Sequence, residues 1–197
     1  RGNRLAYEQR SQTINIWQIE VPTATEPSRS ATKLIASTRV DACPQFSPDG
    51  MRIAFCSDRT GSDEIWVSDT AGSNLVQLTS LGGPMAGTSR WSPDGRRIAF
   101  DGDWGIHVID VDGGRSRRVA SDTPDGVVPS WSRDGQSIYF ASTRTGRAEV
   151  WKVPAAGGQA VQITKRGGFA AFESPDGKSL YYAKGIDVDG LWSVAVN

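Results

Sequence analysis

The sequence predicts an all-β fold, a β-propeller of about five four-stranded antiparallel blades with incomplete blades at both ends. Three observations carry this reading. A Ser-x-Asp-Gly turn recurs four times at near-constant spacing. The short β-rich runs around each copy recur in the same order. With 22 Gly and 10 Pro in 197 residues, tight turns must be frequent.

The turn comes first because internal repeats decide the fold before any local signal does. Ser47-Pro48-Asp49-Gly50 returns as Ser92-Pro93-Asp94-Gly95, Ser132-Arg133-Asp134-Gly135 and Ser174-Pro175-Asp176-Gly177. The glycines lie 45, 40 and 42 residues apart, which is the length of a four-stranded blade, about 40–45 residues. The residue types follow from turn chemistry. Pro presets φ, Asp accepts hydrogen bonds from nearby amides, and Gly takes positive φ without steric cost. Arg133 in place of Pro loses only the preset φ. Asp49, Asp94, Asp134 and Asp176, with Gly50, Gly95, Gly135 and Gly177, therefore read as structural turn residues rather than catalytic carboxylates.

An aromatic residue precedes three of the turns: Phe46, Trp91 and Trp131. Each turn is followed by an apolar run: Ile53-Ala54-Phe55, Ile98-Ala99-Phe100, Ile138-Tyr139-Phe140 and Leu180-Tyr181-Tyr182. A further run comes next, at Ile65-Trp66-Val67, Ile106-His107-Val108, Val150-Trp151-Lys152-Val153 and Leu191-Trp192-Ser193-Val194. The last is marked by Gln77-Leu78-Thr79, Arg118-Val119-Ala120 and Gln162-Ile163-Thr164. Short runs of this composition between turn residues are strands. Each unit is thus four strands, A to D, with the Ser-x-Asp-Gly turn joining A to B.

The N-terminal residues continue the series. Arg4-Leu5-Ala6-Tyr7 matches strand B, Asn15-Ile16-Trp17-Gln18-Ile19 strand C and Lys33-Leu34-Ile35 strand D. Units fall at about 1–39, 40–80, 85–120, 126–165 and 168–197, within one domain, giving 18 strands that lack the first A and the last D. The count fits a fragment of a larger propeller or a five-unit assembly with frayed ends. Self-association through the incomplete end blades is the matching partner expectation.

Composition excludes several functions. Lys plus Arg and Asp plus Glu are both 22, so no basic excess points to nucleic acid or an anionic membrane. No apolar stretch is long enough to span a bilayer. The first residue is Arg rather than Met, so the chain reads as a processed or excised piece.

The segments "FSPDGMRIAFCSDRTGSDEIWV" (46–67) and "WSRDGQSIYFASTRTGRAEVWKV" (131–153) resemble the TolB-type, WD-repeat-like propeller repeats of bacteria. The resemblance covers nearly the entire chain. It is nearest to propeller domains at the C-terminus of longer chains, some of which carry a winged-helix regulator domain. It implies a non-catalytic protein-interaction or sensory module of a larger bacterial protein, with a protein partner or a small ligand held on one face or at the channel mouth. It also slightly favours a periplasmic or extracytoplasmic location over a cytoplasmic one. The alternatives it leaves are the accessory propeller of a prolyl-oligopeptidase-type hydrolase and a sugar-binding propeller. Two departures stand out: Glu173 intervenes between Phe172 and its turn, predicting a bulged or shifted strand, and the B–C connection at 101–105 is short.

A search for chemistry finds little. His107 is the only histidine and takes a position where sister strands put Trp. No nucleophile elbow or metalloprotease helix is present, and one His with two Cys makes no zinc set. No enzyme activity and no cofactor are therefore expected. Asp110-Val111-Asp112-Gly113 and Asp187-Val188-Asp189-Gly190 resemble the start of a calcium loop but lack its later ligands, so turn use is the first reading and calcium the second. If Phe46 faces Ile53, Cys43 faces Cys56, either as two reduced thiols or as a disulfide, which would indicate an oxidising compartment.

In propellers the B–C and D–A connections share one end. There the loops vary far more than the strands, as in a scaffold with a grafted site. The binding-face candidates are Asp101, Asp103, Trp104 and His107 near one B–C connection, with Met85, Asp122, Asp125, Lys165 and Arg166 on D–A segments. The alternative is that these are ordinary solvated loop residues. Trp17, Trp66, Trp151 and Trp192 are expected to pack sheet on sheet, and Trp91 and Trp131 between blades, rather than to stack a sugar or base.

Overall fold

A computed structural model describes residues 13–21, 30–83, 86–120, 125–185 and 190–196. Among them are seventeen strands and no helix. The first sheet pairs β1 (Ile16–Gln18) with β2 (Thr32–Ile35). The second is β3 (Asp41–Phe46), β4 (Arg52–Ser57), β5 (Glu64–Asp69) and β6 (Val76–Gln77) in that order. The third is β7 (Ala86–Trp91), β8 (Arg97–Gly102), β9 (Gly105–Asp110) and β10 (Arg117–Arg118). The fourth is β11 (Val127–Trp131), β12 (Ser137–Ser142), β13 (Glu149–Pro154) and β14 (Val161–Gln162). The fifth is β15 (Phe169–Glu173), β16 (Ser179–Ala183) and β17 (Trp192–Ala195). All pairs are antiparallel, as A-B-C-D meanders require. The expected first B strand, Arg4–Tyr7, lies outside the described residues.

Each Ser-x-Asp-Gly copy closes the same hydrogen-bonded knot. In the second sheet Gly50 N donates to Ser47 O (2.8 Å), Met51 N to Asp49 Oδ1 (3.0 Å) and Arg52 N to Ser47 Oγ (2.9 Å). Ser47 Oγ donates to Asp49 Oδ1 (2.5 Å), holding that exposed carboxyl below its ordinary pKa. The four glycines have φ of +67 to +70°, a region costly for residues with a Cβ. The turns are structural.

The core lies between sheets, not within them. Ala54, Ile65 and Val67 pack on Ala86, Trp91, Ile98 and Phe100 of the next sheet. Ala99, Ile106 and Val108 pack on Trp131, Ile138 and Phe140 in the same way. Both faces of each inner sheet are therefore covered, so β4, β8 and β12 read as continuous apolar runs instead of alternating. The two-residue D strands at the rim are partly or fully exposed. Trp66 and Trp151 are buried as expected, but Trp17 is 55% exposed under the Lys33 ammonium. It sits in the two-stranded first sheet.

Polar clamps close the second and fourth blades at the B–C and D–A end. Buried Glu64 accepts from Thr79 Oγ1 (2.5 Å), Leu81 N (2.8 Å) and Gly82 N (3.0 Å), while Thr79 Oγ1 also receives Ile65 N (2.8 Å). Glu149 and Thr164 repeat the arrangement. In the third blade both members change together, to Gly105 and Ala120. A side chain at Gly105 would meet the Arg118 guanidinium at 2.5 Å. Between blades, the Arg52 and Arg97 guanidinium groups lie 4.9 Å over the rings of Trp91 and Trp131. The indole nitrogens donate to Gln45 O (3.1 Å) and Arg90 O (2.9 Å) of the preceding blade. At the last seam Ser137 and Glu173 stand in these places, and Tyr139 Oη donates to Glu173 Oε1 instead (2.7 Å).

Glu173 does not shift its strand. Glu173 pairs with Leu180 as Phe46 pairs with Ile53, because the turn hydrogen bonds fix the register. Glu173 takes the aromatic position and Phe172 the position before it.

Candidate functional site

Every A strand carries a β-bulge at one place. Four residues before each turn serine stands a non-glycine residue with positive φ: Cys43 (54°), Thr88 (41°), Val128 (52°) and Ala170 (46°). The register slips beside each. Such residues cost about 1–3 kcal/mol each, and β-branched Thr88 and Val128 are outliers there. The bulge frees backbone amides at the seam with the neighbouring blade: that of Thr88 works to lower the Cys43 pKa, and that of Val128 the Asp101 pKa.

The bulge also corrects the expected cysteine pairing. Phe46 does face Ile53, but past the bulge Cys56 faces Ala42 rather than Cys43. Cys56 Sγ donates to Ala42 O (3.3 Å). Both cysteines are free thiols, Cys43 exposed and Cys56 buried.

The structure divides the predicted binding face. Asp103 and Trp104 form the two-residue B–C turn of the third blade, with Gly102 paired to Gly105 and φ of 43° and 54°. Two positive φ values in such a loop define a type I′ turn, which favours Asn-Gly. Asp-Trp is strained there, and Trp104 is 57% exposed, with its carbonyl oxygen accepting from Arg118 Nη2 (3.2 Å). A small hollow beside it is lined by Asp101, Gly102, Gly126 and Val127.

Asp101 faces inward instead. Burial pushes its carboxyl pKa up against the opposing Thr88 hydroxyl, Val128 amide and Arg90 charge. His107 stacks on Phe100 at 5.4 Å, and burial followed by the Arg118 charge lowers its pKa. It replaces a tryptophan in packing and presents no exposed ring. Asp125 is a latch: its carboxylate accepts from Ser142 Oγ (2.6 Å) and Thr143 N (2.6 Å). Burial works to raise its pKa, and these donors outweigh it. Lys165 and Arg166 are exposed on a D–A segment, the former held through its carbonyl by Arg147. Met85 and Asp122 lie outside the described residues, as do Asp187 and Asp189. Asp110 occupies the C–D turn position of Asp69 and Pro154, where Gly113 N donates to its carbonyl oxygen (3.1 Å).

A larger concavity opens at the opposite end, near the A–B turns. The innermost strands β7, β11 and β15 contact one another in series, and β3 contacts β7. Together they line a groove of about 390 Å³. Gln45, Arg90, Ser130 and Phe172 point into it, all two residues before the turn serine, with Glu173, Pro48, Pro93 and Arg133 at its rim. Arg90 lies 5.9 Å from the Phe172 ring, and burial lowers its pKa. Arg133 N donates to Glu173 Oε2 (2.8 Å). The groove therefore offers an aromatic face, a cation and an acid side by side. Another hollow, of about 490 Å³, lies on the outer rim between residues 77–81 and 114–116, with Ile109 in its wall. The inner groove was missed in the sequence. No sequence signal marks it, because the A-strand positions beside Gln45, Arg90, Ser130 and Phe172 vary as well.

A family model described as the TolB beta propeller domain matches residues 83–194. A TolB homologue of Chlorobium luteolum is 31% identical over 133 residues, 66% of this chain and 30% of its own length. An uncharacterised peptidase of Bacillus subtilis, YuxL, is 36% identical over 107 residues, 48% of this chain and 16% of its own. A TolB-type structure from Agrobacterium tumefaciens superimposes with a TM-score of 0.71 at 26% identity, covering 81% of this chain and 59% of that one. The chain spans 16–48% of the length of the curated relatives it matches.

Proposed function

The chain belongs to the TolB β-propeller domain family, and from that premise we propose that it is a non-catalytic interaction module of a larger bacterial protein, holding an extended segment of a protein partner in the inner groove. The observation that carries this reading is the set of unlike side chains Gln45, Arg90, Ser130 and Phe172, with Glu173 beside them, lining one cavity from four neighbouring A strands. A cavity walled by side chains of unlike chemistry on a regular framework is what a scaffold with a grafted binding site has. Phe172 would take an apolar side chain, Arg90 an acidic one and Glu173 a basic one or a backbone amide. Trp104, held in a strained turn at the other end, is a secondary contact.

The test is selection of peptides from a random display library by the purified chain. Selected peptides should lose about tenfold in affinity, about 1.4 kcal/mol, on Phe172→Ala or Arg90→Ala. Binding that survives both and is lost on Trp104→Ala would move the site to the other end. Cleavage of the bound peptides by the chain would refute the non-catalytic part.

An extracytoplasmic location is part of the proposal. Among the described residues no helix is long and apolar enough to cross a membrane, and fractionation of cells producing the full-length protein would test the compartment. A second reading, the accessory propeller of a peptidase, is supported by the likeness to YuxL. A hydrolase domain in the full-length protein, with the groove facing its active site, would favour it.

A further inference from the structure

We propose that Cys43 and Cys56 form a reversible dithiol–disulfide pair on the hairpin of the second blade, with Cys43 the exposed attacking sulfur, Cys56 the buried resolving sulfur, and a glutathione-type small-molecule disulfide the co-substrate. Four features converge. The two cysteines of the chain sit on adjacent strands at the bulge, one exposed and one buried, and the Cys56 thiol is the neighbour that acts most strongly on Cys43. The bulge turns Cys43 into left-handed backbone (φ 54°), out of the ladder, where a reagent can reach it. The Thr88 backbone of the next blade favours the anionic form of its sulfur. Ser89 Oγ holds the Cys43 carbonyl oxygen at 3.3 Å and fixes this conformation.

Electrostatics orders the two steps. The Cys56 thiol, then the Thr88 amide and the Arg90 charge, outweigh burial and Asp101 and lower Cys43 to about 6. Most of Cys43 is then thiolate near neutral pH, against a few per cent for an ordinary cysteine at about 8.5. Cys56 is pushed strongly up by the neighbouring Cys43 sulfur, by burial and by the charge of that thiolate, with smaller additions from Asp63 and Asp101.

In the first step the Cys43 thiolate attacks one sulfur of the small disulfide, whose S–S bond breaks and expels a thiolate. The Cys43 charge is thereby gone, and with it two of the three main causes that hold the proton on Cys56. Cys56 then gives its proton to the departing thiolate and attacks Cys43 Sγ. This closes the protein disulfide and expels the second thiolate, which takes a proton from water. Two protein sulfurs are oxidised and one small disulfide is reduced to two thiols.

Closure ties β3 to β4 at the bulge and removes the anion that the Thr88 backbone favours, so the seam between the second and third blades registers the redox state. The low pKa also lowers intrinsic nucleophilicity. The distinguishing signal is therefore the pH at which reactivity appears, not a large rate at one pH.

The experiment starts from fully reduced chain and adds oxidised glutathione, followed by intact-mass spectrometry. The wild type should lose the mass of two hydrogens and keep no adduct. Cys56→Ser should keep one glutathione on Cys43, and Cys43→Ser should not react while folded. Alkylation of reduced wild type by iodoacetamide serves as a control that needs no variant. It should modify Cys43 alone, with a rate that rises through about pH 6 and then levels. A wild type that retains the adduct, a Cys43→Ser chain that reacts as fast as wild type, or alkylation with a midpoint near that of free cysteine would overturn the proposal.

Discussion

Glu64 offers a test of how a blade is closed. Its buried carboxylate accepts from Thr79 Oγ1, Leu81 N, Gly82 N and Ser62 Oγ. Glu64→Ala leaves these donors facing a small cavity. A hydrogen bond to a charged acceptor is worth about 1.5–3 kcal/mol and an abandoned buried donor costs about 1–3 kcal/mol. Two of the four partners lie on a segment that can relax to water, so a net loss of about 3 kcal/mol is expected. Thr79→Ala alone should cost about 2 kcal/mol, because Ile65 N and the carboxylate both lose a partner. The double variant copies what the third blade does with Gly105 and Ala120. It should cost about 1–2 kcal/mol less than the two single losses added, within the coupling expected for residues in contact. Urea unfolding followed by tryptophan fluorescence measures all three, and thermal midpoints should fall by about 2–4 °C per kcal/mol for a chain of this size. Additive losses would refute the claim that the pair acts as one unit, and an Ala variant within about 0.5 kcal/mol of wild type, the range of an ordinary surface change, would refute the clamp itself.

Other outcomes follow from the same geometry. Asp103→Asn with Trp104→Gly supplies the residues that a type I′ turn favours and should stabilise the chain by about 1–2 kcal/mol through relief of left-handed strain; urea midpoints check this. Glu64 and Glu149 have folded pKa values below their ordinary 4.5, because their donors outweigh burial. Their stabilisation is thus complete above that value and lost as pH falls through the lower folded one. Asp63 and Asp101, raised chiefly by burial, act in the opposite direction over the same range. Glu64→Gln with Glu149→Gln should therefore flatten the acid limb of a stability–pH curve below about pH 4.5, and an unchanged limb would contradict the assignment. Trp131→Ala removes an inter-blade anchor and should cost about 3–5 kcal/mol, whereas Arg97→Ala, losing a half-exposed cation–π contact, should cost about 1 kcal/mol; denaturant titration separates the two.

The fold was legible because its determinants are local. Ser, Asp and Gly close the same knot four times, and the runs between them are short enough that only strands fit. The inner groove was not legible, because it is built on strands while the variation that stands out in the sequence lies in loops. Position 45 and its equivalents 90, 130 and 172 look like tolerance to substitution until the A strands are brought around one axis. The bulges were invisible for a different reason. Cys, Thr, Val and Ala all disfavour left-handed backbone, so nothing in their chemistry announces it, and the slip they introduce moved Cys56 from Cys43 to Ala42. His107 and Asp125 were singled out as polar residues near loops, yet the first fills a tryptophan's place and the second satisfies hydroxyl and amide donors.

Paired substitutions explain why the repeat tolerates such variety. Each clamp or seam joins two or three side chains and touches only its own blade or the next, so its energy depends on partners rather than on single residues. Glu64 with Thr79 is satisfied, whereas the third blade has lost both polar side chains together and sets the Arg118 guanidinium over Gly105; a mixed pair would leave a buried donor or acceptor unmatched. Arg97 with Trp131 gives way to Tyr139 with Glu173 at the final seam on the same terms. Because these pairs hold the sheets in place, the inward position before each turn is relieved of any structural duty in common. Gln45 does bond Trp91 N (2.7 Å), but the Arg90 guanidinium leans towards Phe172 instead of reproducing that contact. A position that different blades use differently, facing a shared cavity, is free to be set by whatever the cavity holds.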